Sequence, residues 1–112
     1  MILHNYLSNS GRDLIYEYIN SLPEAEKIDG YTVLQHMEKG EFDTILFKRW
    51  EKKVYEVYFQ KNNRVFYITV DKENIYLLHS CRKQKNKTEK KDANIVRKRA
   101  KELGNMLGRK FI

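Results

Sequence analysis

Apolar and polar positions repeat with two different periods along this chain, and the change falls near residue 54. Before it, "RDLIYEYINSL" at 12–22 puts Leu14, Ile15, Tyr18, Ile19 and Leu22 on one stripe, which predicts a short surface helix. In "SLPEAEKIDGYTVLQHMEKG", Ser21 suits a cap, Pro23 a first turn and Gly40 a stop, with Glu24 three residues after the serine. A second helix over about 23–39 is predicted. Gly30 in its middle costs about 1 kcal/mol relative to alanine and marks a kink or a close contact. Phe42, Ile45, Leu46, Phe47 and Trp50 predict a loop with a short strand covering one side of the core.

From Val54 the period is two. "VYEVYFQ", "RVFYITV" and "IYLLHS" are separated by Asn62-Asn63 and by "DKEN", which predicts an antiparallel meander of at least three strands. Beyond residue 88 the helical period returns. Thr88 is the predicted N-cap, and Ala93, Val96, Ala100, Leu103 and Leu107 form a seam for docking on the sheet, with Lys90, Lys91, Arg97, Lys98 and Lys101 opposite. The layout is α+β: two N-terminal helices, an antiparallel sheet and a C-terminal helix packed on it, with helices covering one face.

Composition adds scale. At 112 residues, 41% of them hydrophobic, the chain reads as one domain over 1–112 with a single core. The net charge of +7 is local: residues 80–101 hold ten Lys/Arg against Glu89 and Asp92, or +8, so the remainder sums to −1. Such a patch attracts nucleic acid, acidic membrane or an acidic protein. Cys81 is the only cysteine, which excludes an internal disulfide and points to a reducing compartment. The start "MILHNYLSNSGRD" reads as no signal peptide, and no apolar run approaches a membrane span.

The segment from Val54 to Arg99 resembles the RelE/HigB superfamily of toxins from bacterial type II toxin-antitoxin pairs, most closely the HigB-type branch of phages and prophages. Those proteins carry a "W-E-L-R"-like tetrad, "Y-R-I-F-Y", "L-L-H-x-F", "x-K-K-T-x-K-T-P" and a helix "x-x-E-I-x-x-A-x-x-R". Here stand "VYEVY", "NRVFY", "LLHSC", "RKQKNKT" and "KKDANIVRKR". Tyr58 replaces the tetrad arginine, Cys81 a phenylalanine, Gln84-Lys85 a Lys-Thr pair and Glu89 a proline. The resemblance implies cytoplasmic mRNA cleavage on the ribosome, without a metal, by attack of the RNA 2′-hydroxyl on the neighbouring phosphate. It also implies restraint by a helix-turn-helix, HigA-like antitoxin that forms an oligomer with the toxin. The alternative is a non-catalytic RNA- or ribosome-binding module of the same fold.

That reaction needs proton acceptor, proton donor and cations on the phosphoryl oxygens. His79 is the acid or base candidate, since imidazole titrates near working pH; the alternative is an inward-facing histidine bonded to backbone. Arg64 matches the family's sheet arginine and suits phosphate, and Lys83 matches a family lysine. Arg82 and Lys83 follow the strand of His79 and are expected to share its edge and face Arg64. Tyr67 and Tyr58 can stack on an extruded base or donate a proton, or serve as strand filler. Glu56 shares a face with Tyr58 and can orient Arg64 or act as base, a cross-strand ion pair being its simpler role. Lys85, Lys87, Lys90 and Lys91 are expected to track phosphates. No cofactor is expected, and three scattered histidines with one cysteine predict no metal site.

Overall fold

Strand β4 (Asn63–Thr69) shows how the molecule is layered. Val65, Phe66, Tyr67 and Ile68 are all buried, so side chains of both parities are covered and the sheet must be packed on both faces. The computed structural model, which describes residues 1–83 and 87–112, has this form. Helices α1 (Leu14–Asn20) and α2 (Glu24–Glu38) cover one face, over Val57, Phe59, Val65, Tyr67, Ile75 and Leu77. Helix α3 (Lys90–Leu107) covers the other, over Val54, Phe66, Ile68 and Leu78. The expectation of helices on one face is corrected: the apolar runs of β4 and the next strand are two-sided.

The sheet has five strands in the order β1-β5-β4-β3-β2: β1 (Ile2–Asn5), β2 (Leu46–Glu51), β3 (Val54–Phe59), β4 and β5 (Asn74–Arg82). From β3 to β5 it is the expected antiparallel meander; β2, expected as a short strand covering one side of the core, instead extends the meander as its edge strand, and β1 pairs parallel with β5, so the sheet is mixed rather than antiparallel. The β3–β4 turn lies one residue earlier than Asn62-Asn63. Lys61 and Asn62 both have positive φ, while Asn63 already pairs with Phe59 and Arg82. Its amide is held in the interior by Tyr18 and Glu26.

Local signals place the helices. Asp13 caps α1 by accepting from the Tyr16 amide at 2.8 Å. Ser21 terminates α1 rather than capping α2, its hydroxyl donating to the Tyr18 carbonyl at 2.6 Å. Only three residues join the two helices, and Pro23, which has no N–H to satisfy, precedes α2 directly. Gly30 is a close contact: a Cβ there would lie 3.1 Å from the Phe59 ring. At α3, Glu89 rather than Thr88 occupies the N-cap position. The docking seam is as expected, with Ala93, Val96, Ala100 and Leu103 buried. Gly108, at φ 66°, turns the chain so that Phe111 tucks beneath the helix.

One irregularity sets the site. Phe66 pairs with His79 and Tyr67 with Leu77, leaving Leu78 as an extra residue, a β-bulge. The bulge resets the strand's alternation, so Leu78 and His79 both face α3, followed on that side by Cys81 and Lys83. Without it, Arg82 would have taken their place.

Candidate RNA-binding site

At the N-terminal end of α3 the sheet face turns polar. Glu56 on β3, 1% exposed, lies with Oε1 2.8 Å from Lys83 Nζ and 3.1 Å from Arg64 Nε. Both are charge contacts by distance. Neither is aligned as a hydrogen bond, so the two carboxylate oxygens and Arg64 Nε have no hydrogen-bond partner among the described residues. Arg64 is further held by its own Nη1, which donates to the Asn63 carbonyl at 3.1 Å, and by the Tyr58 ring 4.7 Å below its guanidinium. Lys48 Nζ approaches the same ring at 5.9 Å. One carboxylate thus stands between two cations, and the trio carries an excess positive charge.

Beside it, His79 Nε2 is 2.8 Å from Asp92 Oδ1, and Arg99 Nη1 is 3.4 Å from His79 Nδ1. A guanidinium can only donate, so Nδ1 is the acceptor and Nε2 carries the hydrogen given to Asp92. Burial holds the imidazole below its ordinary 6.5, opposed by Asp92. Arg99 is anchored in turn by the Leu78 carbonyl at 2.8 Å and by stacking 4.0 Å over Tyr6. Cys81, directly across from Arg64, is pushed up to about 12 by burial, with Asp92 adding to the effect, and is a neutral thiol. His79, Cys81 and Asp92 offer ligand atoms all within 4.8 Å, a grouping that the spacing along the chain did not foretell. Its Nε2–H is committed to Asp92, and a metal at Nε2 would need the hydrogen moved to Nδ1, against the Arg99 donor. These residues are therefore better suited to a hydrogen-bonded clamp than to a metal.

The expected set divides. Arg64, Lys83, Glu56 and Tyr58 come together, and His79 stands on the same face across Phe66 from Glu56, its nitrogens bonded to side chains rather than backbone. Arg82 does not face Arg64: strand alternation sends it to the α2 side, where Nη2 lies 2.6 Å from Glu26 and Nη1 2.8 Å from the Lys61 carbonyl. The Asn63 amide, with Arg82, holds the Glu26 carboxyl below its usual range. Tyr67 also points to the α1/α2 side, its ring tilted against Phe42 and Tyr55, with burial raising its hydroxyl's pKa. Lys87, Lys90 and Lys91 are exposed where α3 begins, whereas Lys85 lies outside the described residues. Asp92 and Arg99 were missed as site residues. Their spacing of four before and three after Val96 sets both along the buried seam, which is the signal that marks them.

Among the described residues, no helix is long and apolar enough to cross a membrane. No curated protein matches the chain. The family model "Phage derived protein Gp49-like" matches residues 17–101, about three quarters of the sequence and every site residue named above except Tyr6. The chain therefore belongs to the phage-derived Gp49-like family, a RelE/HigB-like toxin family often found in toxin-antitoxin systems.

Proposed function

We propose that this protein is the HigB-like toxin of a type II toxin-antitoxin pair and cleaves mRNA, with the ribosome as its working surface in the cytoplasm. What carries the reading is the pairing of Arg64 and Lys83, two poorly exposed cations against a single carboxylate, in a chain of a toxin family. In the reaction, the RNA 2′-hydroxyl attacks the adjacent phosphate. A 2′,3′-cyclic phosphate forms as the 2′-hydroxyl proton passes to solvent, and the 5′-oxygen leaves with a proton taken from solvent. Negative charge grows on the phosphoryl oxygens, and preorganised cations there supply the largest single stabilisation. Arg64 provides a planar fork, and the Tyr58 ring and Asn63 carbonyl fix its direction. Lys83 adds a point charge, Tyr58 is the stacking surface for a base, and Lys87, Lys90 and Lys91 guide the strand toward them. His79, with both nitrogens engaged, serves as the clamp that fastens the start of α3 to β5.

Those engaged nitrogens also favour the second reading, an RNA- or ribosome-binding module without chemistry. Induction of the protein alone separates the two. The nuclease reading expects growth arrest with fragmented mRNA, abolished by Arg64→Ala or Lys83→Ala in folded protein. It also expects relief by a small helix-turn-helix protein encoded alongside. A harmless wild type that leaves transcripts intact would favour the binding module.

A further inference from the structure

The least ordinary side chain at the site is the acid. A buried carboxylate normally gathers several hydrogen bonds. Among the described residues Glu56 has none aligned on either oxygen, yet its Oε1 is the point on which Lys83 Nζ, at 2.8 Å, and Arg64 Nε, at 3.1 Å, converge. A phosphoryl oxygen would draw the same two donors. Without an anion between them, the two cations would repel one another, and among the described residues Arg64 would be tethered only through Asn63 and Tyr58. A phosphate oxygen that draws on the same two cations takes a share of their charge from the carboxylate, so the two anions compete.

We propose that Glu56 is an internal surrogate for the RNA phosphate: it positions Arg64 and Lys83 for catalysis and competes with the incoming phosphate for them. The proposal rests on the phosphate-binding reading above and gives Glu56 two separable effects. Its charge weakens RNA binding, while its reach sets the cations' geometry. As a positioning residue, it acts through Arg64 and Lys83 rather than on the substrate.

The test measures affinity for a 2′-O-methyl RNA oligonucleotide, which cannot undergo 2′-hydroxyl attack, alongside kcat and KM for cleavage of message on translating ribosomes at the same salt concentration. Glu56→Gln removes the competing charge, so the 2′-O-methyl RNA is expected to bind about three- to tenfold tighter. Cleavage is expected to slow by about 100-fold, because a cation displaced by about 1 Å loses that much. Glu56→Asp keeps the charge on a shorter arm; affinity and KM should stay at the wild-type level while kcat falls. A purely structural role would lower affinity and cleavage together in both variants. Affinity of Glu56→Gln equal to or below that of wild type would overturn the proposal. Should Glu56→Gln fail to fold, Glu56→Asp decides: lowered kcat at unchanged affinity supports the surrogate, and unchanged kcat or a proportionate loss of both refutes it. A wild type that binds the oligonucleotide but leaves message on translating ribosomes intact would sink the nuclease reading alone, since the affinity comparison would still decide the role of Glu56.

Discussion

Replacing Arg64 by alanine separates the site's chemistry from its fold. The side chain is 11% exposed and makes three contacts: Glu56 at 3.1 Å, the Asn63 carbonyl at 3.1 Å and the face of Tyr58 at 4.7 Å. The hydrogen bond is worth about 1 kcal/mol and the cation–π contact about 0.5–1 kcal/mol. Breaking a buried ion pair usually costs about 3–5 kcal/mol, because a charge is stranded. Here none is stranded: with Arg64 gone, Glu56 and Lys83 remain a one-to-one pair at 2.8 Å. The expected loss of stability is therefore about 1–2 kcal/mol, a fall of several degrees in Tm. Cleavage should fall far more, by about 10²–10³-fold, the cost of removing one preorganised donor from a developing oxyanion. Thermal unfolding and single-turnover cleavage on one preparation would measure both. Activity within a factor of about ten of wild type would refute Arg64 as the phosphate contact, and global unfolding would refute the charge argument.

Three further outcomes follow from where the fold puts its polar groups. Arg82→Ala, although adjacent to Lys83, should leave cleavage and the salt dependence of RNA binding unchanged while lowering stability through Glu26; a salt slope reduced by about one would place Arg82 on the RNA. Burial depresses the His79 pKa, so the unfolded chain takes up the proton first. Stability should be fully present above the unfolded value of 6.5 and decline as pH falls below it toward the lower folded value. Urea midpoints at two pH values would show this slope in wild type and its loss in His79→Gln, and a pH-independent midpoint in wild type would count against the buried clamp. The Cys81 thiol, pushed up to about 12, should resist iodoacetamide at neutral pH until urea unfolds the chain, and rapid labelling of native protein would contradict its burial.

Strands β3 to β5 and helix α3 were legible because their apolar periods are regular and their pairing partners are close in sequence. Strand β1 was not: its four residues carry little pattern, and its partner β5 lies some seventy positions away. Arg64, Glu56 and Tyr58 could be grouped by parity alone, being at even positions on paired strands. Parity also separates Tyr67 from Arg64, three residues apart, and Arg82 from Lys83, evidence that adjacency in sequence had masked. The phase of β5 itself depends on the bulge at Leu78, which no local composition announces. That bulge decides that His79, Cys81 and Lys83 face α3.

The proposed reaction is cleavage of RNA by internal transesterification. Its most direct test adds purified protein to a translating extract and determines the chemistry of the new mRNA ends, with Arg64→Ala as the control. Fragments ending in 2′,3′-cyclic phosphate with 5′-hydroxyl partners, present with wild type and absent with the variant, are the expected result; intact message, or ends bearing 5′-phosphate, would contradict it.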